Sequence, residues 1–372
     1  MAPILQAVSD VDAEITAEVA AAEAQVEGAR YADAAMALSG LHGLVAVNPV
    51  LAFRALVAES SARLYLGELD SSLALVERAR ALSERPEFSD ADRADAMFRF
   101  GCVRLKMANV SVAIESFTIA LELCDRSGAM CDRLRADILQ WRSRGYQLRR
   151  AWDSARADVE RALELSITND DEHTTAHVLF QASLIAERTK QAMLACYYAE
   201  QASEIYERLG DRPNYGRLLN NLGGLKFLLG RPDEAVALLK QAVAVALEVD
   251  GTADAAQAIS SLAQVHLRTG DLEAAEKQAR YALELLDGRV DFTEEIGNAQ
   301  LVLGRTLGQR GAYDLAGRSL DAADATFELL WSASHRAAVG LAKGDLERSQ
   351  GHFEVAAELY RASAELLQDF QF

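Results

Sequence analysis

Apolar residues recur along this chain with the three-to-four-residue rhythm of helices that bury one face. Residues 218–243, LLNNLGGLKFLLGRPDEAVALLKQAV, show the pattern in small. Two apolar helical runs are interrupted once, at Gly230-Arg231-Pro232. Glycine permits the positive φ that ends a helix, and proline suits the first turn of the next one. The pattern therefore predicts helix, turn, helix. The same order returns at residues 257–285, with Leu262, Ala263, Gly270, Ala275 and Ala282, and at 299–327, with Leu303, Gly304, Gly311, Ala316 and Ala323. The last copy carries Gly344, Gly351, Ala356 and Ser363.

Weaker copies lie upstream in the same register. A small residue opens each second helix at Ala34, Ser72, Ala113, Ala155, Ala195, Ala235, Ala275, Ala316 and Ala356, with successive gaps of 38, 41, 42, 40, 40, 40, 41 and 40 residues. Small residues at a helix crossing let two antiparallel helices approach closely. Each hairpin then presents an apolar face that only its neighbours can cover, so the copies must stack. Polar stretches such as PEFSDAD and TNDDEH supply helix-capping residues between copies and do not look like domain hinges.

The order G-x-φ-x-x-A, with an apolar residue four after the alanine and a small one seven after it, resembles the tetratricopeptide repeat. The resemblance covers about residues 28–366 in nine copies, here with a period near 40 against the usual ~34. It implies an all-α fold, a right-handed α-solenoid of about nine helical hairpins forming one domain over 1–372. The expected repeats are 4–42, 51–83, 92–125, 134–166, 174–209, 214–249, 253–287, 294–330 and 335–368. The family's helix-ending proline is missing from most copies. Long repeats of this kind resemble the sensor modules of bacterial helix-turn-helix regulators and peptide-pheromone receptors, which implies a role in bacterial transcriptional regulation.

Composition narrows the function. Of the 372 residues, 50% are hydrophobic, five are proline, and the formal net charge is −18. Such a chain repels phosphate backbones and anionic lipid, so direct nucleic-acid binding is not expected. No run approaches ~20 uninterrupted apolar residues, and no basic side chain precedes Arg30, so a cytoplasmic location without membrane association is expected. Cys102, Cys124, Cys131 and Cys196 read as reduced core residues. The spacing of Cys124 and Cys131 is not that of a zinc site.

Catalytic motifs are absent: no GxSxG, HExxH, GxxxxGK[ST] or GxGxxG occurs. The sequence therefore reads as a non-enzyme without cofactor or metal. His173 and His177 share a helix face beside Asp170, Asp171 and Glu172, but two histidines and a loose carboxylate do not close a coordination shell. Trp141, Trp152 and Trp331 read as core, as aromatics in helical solenoids usually do.

What remains is the face of the first helices, the usual binding side of a solenoid. At about 100° per residue, Leu219, Leu222, Gly223 and Lys226 fall on the packing side of one such helix. Arg217, Asn220, Gly224 and Phe227 fall opposite, with Asn221 at the flank. Lys226 fits this frame only if its stem reaches out to water. The same frame selects Gln140, Arg144, His177 and Phe180, with Gln181 flanking, then Gln257, Ser260, Gln264, Asn298 and Arg305. It also selects Phe98, Cys102 and Leu105 in the third copy. Amides can pair with the free N–H and C=O groups of an extended peptide, and arginine can fork a carboxylate. The expected function is a protein- or peptide-binding module, the ligand-sensing or adaptor part of a regulator, holding an extended segment in a concave groove. The alternative is a passive scaffold for protein-complex assembly. Whether two copies pair as a homodimer is left open.

Overall fold

The computed structural model describes residues 2–28, 30–45, 48–289 and 292–368. Among them the regular elements are eighteen α-helices and a single turn of 3-10 helix, with no strand. The chain divides into two compact units, Met1–Ile185 and Ala186–Phe372. The first holds α1 (Ala2–Glu27), α2 (Tyr31–Val45), α3 (Pro49–Tyr65), α4 (Leu69–Ser83), α5 (Asp90–Lys106), α6 (Val110–Ser127), α7 (Asp132–Leu148) and α8 (Trp152–Thr168). The division falls inside α9 (Glu172–Arg188). The second unit continues with α10 (Ala192–Leu209), α11 (Arg212–Leu228), α12 (Pro232–Glu248), α13 (Thr252–Thr269), α14 (Leu272–Leu285), α15 (Thr293–Gln309), α16 (Tyr313–Leu329), α17 (Ala333–Ser349) and α18 (Phe353–Gln368). In each unit consecutive helices pack as antiparallel hairpins, the arrangement of a tetratricopeptide-type α-solenoid. First helices also touch one another: α3 meets α5 and α5 meets α7, while α13 meets α11 and α15, and α15 meets α17.

Small residues hold the hairpins together. All nine second-helix positions, from Ala34 to Ala356, are buried. Twelve residues before each of them lies a first-helix residue that is also small: Ala22, Ser60, Gly101, Ser143, Ser183, Gly223, Ala263, Gly304 and Gly344. Where glycine stands there, an added Cβ would sit 2.6 Å from Phe117 at Gly101, 2.6 Å from Leu239 at Gly223, 2.7 Å from Leu320 at Gly304 and 2.4 Å from Tyr360 at Gly344. Those partners are the residues four after the second-helix alanine, so glycine admits the large side chain into the crossing. At Ser60 and Ser143 the hydroxyl is satisfied across the crossing. Ser60 Oγ donates to the Ser72 carbonyl at 3.0 Å, Ser72 Oγ returns a bond to the Ser60 carbonyl at 2.7 Å, and Ser143 Oγ donates to the Ala155 carbonyl at 2.8 Å.

The turn inside the hairpins needs a left-handed residue. Gly67, Gly230, Gly270, Gly311 and Gly351 fill it at φ between 76° and 86°. Ala108, Arg150 and Lys190 occupy the equivalent turns at φ 61°, 56° and 62°. A Cβ costs about 1 kcal/mol in that conformation. Part of the relief from Ala108→Gly or Arg150→Gly is offset by the freer unfolded chain. Each substitution is therefore expected to raise stability by about 0.5 kcal/mol, read as a higher urea midpoint at unchanged slope. A lower midpoint would contradict the strain.

Two sequence expectations are corrected here, and the expectation for Lys226 is met. Trp331 does not join the core: it is 92% exposed, at φ 51° in the turn after α16, beside the exposed Leu329 and Leu330. Trp141 is buried, with its ring 6.5 Å from that of Phe98. Phe98, Cys102 and Leu105 do not line a groove. They lie in the core cluster of the first unit, because α5 is packed on several sides. Lys226 sits on the packing side and still reaches solvent-side acids, donating from Nζ to Glu200 at 2.7 Å, with Glu234 at 3.7 Å.

Candidate ligand-binding faces

In the first unit the expected residues of α7 and α9 come together. Arg144 projects from α7 and stacks over the Trp141 ring at 4.9 Å. Its Nε and Nη2 donate to the side-chain carbonyl of Gln181 at 2.7 and 3.0 Å. Gln181 and Gln140 are themselves buried. His177 is half-buried and meets His173 edge to face, ring centres 4.8 Å apart, while Phe180 is half-buried nearby on the same helix. Among the described residues no three His, Cys, Asp or Glu side chains cluster as a metal ion would require.

The charges beneath this face are coupled. Arg99 Nε pairs with Asp95 at 3.0 Å. Burial opposes the Arg99 charge, but Asp95 and Asp137 more than offset it and hold its pKa above the ordinary value. Burial pushes the Cys102 thiol up, so it stays protonated at neutral pH. Burial also pushes the Asp137 carboxyl up to about 6, against the opposing pull of Arg99 and Arg133. A carboxylate raised on folding contributes stability below its unfolded value, near pH 4, and that contribution is lost as pH rises through about 6. Between about pH 4 and 7 the wild type should therefore lose ground against Asp137→Asn in parallel urea titrations. A difference that does not change with pH would mean that Asp137 ionises normally.

The second unit carries a longer face, built from α11, α13, α15 and α17. Three hollows lie along it. The smallest, about 190 Å³, lies between α11 and α13 and is lined by Gly224, Phe227, Gln264 and Arg268, with Glu187 at its edge. The Arg268 guanidinium lies 5.9 Å over the Phe227 ring. The next, about 330 Å³, lies between the N-terminal halves of α13 and α15 and is lined by Gln257, Ser260, Ser261, Gln264, Glu294, Glu295 and Asn298. The largest, about 420 Å³, lies between the C-terminal halves of α13, α15 and α17, among Leu267, Arg268, Arg305, Gln309, Asp345 and Arg348.

Not every expected residue is available for a ligand. Arg217 Nε is held by both oxygens of Asp254, at 3.0 and 3.2 Å. Asn221 Nδ2 donates to Glu187 at 3.4 Å. Others have few internal partners or none. The Oδ1 of Asn220 and the Oγ of Ser260 are buried without a hydrogen bond. Arg305 Nη2 reaches only the Ala338 carbonyl, at 3.4 Å, and burial lowers its pKa. Sequence reasoning missed Arg268, Ser261, Glu294 and Glu295. Arg268 lies one residue beyond the helix face chosen for α13, and the two glutamates read as ordinary acids of a helix start.

The tetratricopeptide repeat family matches residues 176–248 and 217–288. No curated protein matches the sequence. Solved structures match over nearly the whole chain. A Rap protein complexed with Competence and Sporulation Factor is 15% identical at TM-score 0.68, covering 96% of this chain and 98% of that one. The quorum sensor NprR from B. thuringiensis, in its apo form, is 12% identical at TM-score 0.68, covering 96% and 99%. Aspartyl phosphate phosphatase F from Bacillus subtilis is 14% identical at TM-score 0.65, covering 95% and 94%. Residues 176–288 therefore carry tetratricopeptide repeats, and the chain has the all-helical hairpin fold of these structures.

Proposed function

We propose that this chain is a peptide-sensing module that holds an extended peptide, or the tail of a partner protein, on the first-helix face of its second unit. The observation that carries the reading is a set of polar groups held on first helices α11 and α13 without internal partners. They are Asn220 Oδ1 and Ser260 Oγ; beside them the half-buried guanidinium of Arg305 makes a single long hydrogen bond, to the Ala338 carbonyl. A folded protein pays about 1–3 kcal/mol for each buried polar group left unpaired, so such groups recur where a ligand completes them. Phe227 and the hollow beside it offer a place for an apolar side chain. The fold supports the same reading, since one protein of this fold carries Competence and Sporulation Factor and another is a quorum sensor.

Fold alone does not separate a binding module from an enzyme, because another protein of the same fold is named as a phosphatase. The side chains of this face suit binding: amides, hydroxyls and arginines line it, with the carboxylates of Glu294, Glu295 and Asp345 among them. In the first unit, Arg144, Gln181, His177 and Phe180 form a second polar and aromatic patch that an adaptor would use. The scaffold alternative draws on the exposed Leu329, Leu330 and Trp331 turn. Capture from a lysate of the source cell, with wild type and Asn220→Ala/Arg305→Ala as paired baits, separates the two. A peptide or segment recovered by wild type and lost by the variant is expected. Equal recovery by both baits would place the contact elsewhere.

A further inference from the structure

The two larger hollows beside α13 and α15 differ in charge. The hollow at the N-terminal halves contains Glu294 and Glu295, three amides and two hydroxyls, and no basic side chain lines it. Ser260 is only 4% exposed and lines this hollow, yet its Oγ has no hydrogen-bond partner. Among the described residues Glu294 has only a distant neighbour of opposite sign, His335 Nε2 at 3.9 Å. The hollow at the C-terminal halves contains Arg268, Arg305 and Arg348 against one carboxylate, Asp345. That carboxylate is already engaged by Arg348 at 3.4 Å and by the Tyr360 hydroxyl at 2.8 Å. Among the described residues neither Arg268 nor Arg305 makes an ion pair. Asp345 attracts the Arg305 guanidinium without forming an ion pair with it.

We propose that the peptide on this face is short, zwitterionic and held in one direction. Its cationic group occupies the acidic hollow at Glu294, Glu295 and Ser260, and its carboxylate lies against Arg268 and Arg305. This rests on the peptide-binding reading above and gives that peptide its chemistry. An ammonium carries three donors and no acceptor, which suits two carboxylates and a hydroxyl oxygen able to accept. A carboxylate suits the paired donors of a guanidinium. Ser260 and Arg268 are eight residues apart on one helix, a rise of about 12 Å. An extended chain advances about 3.3–3.6 Å per residue, so with side-chain reach the two ends fit a peptide of about four to six residues. The net negative field favours approach of the cationic end and disfavours a purely acidic peptide.

The test uses a pool of random-sequence pentapeptides with both ends free, the same pool acetylated at the N-terminus, and the same pool amidated at the C-terminus. Each is dialysed to equilibrium against the full chain, and the retained peptides are read by mass spectrometry. Wild type should retain the free pool and lose at least tenfold of that retention on acetylation and on amidation. Glu294→Gln/Glu295→Gln should abolish the preference for a free amino end, and Arg305→Gln the preference for a free carboxylate. If acetylated peptides are retained only when they contain lysine or arginine, the cation comes from a side chain and the acidic hollow is still its seat. Retention indifferent to acetylation and to the glutamate substitutions, yet lowered by Asn220→Ala, would overturn the polarity and leave the peptide reading standing. No retention of any pool by wild type would overturn both. The acetylation and amidation arms need no variant, so they decide the matter even if a substitution disturbs folding.

Discussion

Gly223→Leu is expected to destabilise the second unit by about 3 kcal/mol, while Gly224→Ala, one residue on, is expected to stabilise it by about 0.5–1 kcal/mol. The two glycines share a helix and differ only in what faces them. A Cβ on Gly223 would lie 2.6 Å from Leu239 Cγ and 2.8 Å from Leu239 Cδ2, with the Ala235 carbonyl at 3.4 Å. Leu239 is fully buried and cannot swing aside without opening the crossing of α11 and α12. A Cβ on Gly224 meets nothing within 4 Å, so alanine there only improves helix propensity. Because repeats touch mainly their neighbours, the damage from Gly223→Leu should begin locally. Amide exchange should accelerate first in α11 and α12 and last in α18. Equal effects at the two glycines, or uniform acceleration through the unit, would contradict the close-crossing account. Ala275→Leu, at the crossing of α13 and α14, should behave as a milder case, costing about 1–3 kcal/mol.

The second large effect is on binding. Asn220→Ala/Arg305→Ala should weaken the interaction with a captured segment by well over tenfold and leave the melting curve near that of wild type. The separation of the two effects follows from the partner lists. Asn220 Oδ1 and the Arg305 guanidinium contribute little inside the protein, because one has no hydrogen bond and the other has a single long one. Truncating them removes polar groups that folding left unsatisfied, so stability has little to lose. A bound segment that does satisfy them loses those bonds, each at about 1–3 kcal/mol when the partner group is left unpaired. Arg217→Ala serves as the contrast. It breaks the ion pair with Asp254 at the protein surface, where such pairs contribute about 0–1 kcal/mol, and it should leave binding largely unchanged.

Much of the fold was legible because it repeats. The spacing of Ala235, Ala275 and Ala316 carries the hairpin register, and all three are fully buried at crossings. Legibility failed where one physical task is done by different residues. Ser60 and Ser143 stand where other copies have glycine, and nothing in a serine announces that its hydroxyl will bond the backbone of the facing helix. Ala108, Arg150 and Lys190 adopt a left-handed turn that sequence reserves for glycine. The site was harder still. A helical wheel found Asn220, Ser260, Gln264 and Arg305 by treating every first helix alike. The same wheel put Phe98 and Cys102 on a binding face, although α5 buries them against α6 and α7. It also missed Glu294 and Arg268, whose roles depend on which neighbour's side chains close the hollow.

The most direct test of the account is the amide-exchange footprint of the captured segment on the full chain. Protection concentrated on α11, α13, α15 and α17, and lost in Asn220→Ala/Arg305→Ala, is the result the account predicts. Protection confined to α12, α14 and α16, or centred on the turn at Trp331 and unaffected by that variant, would contradict it and leave a scaffold that binds through its other face.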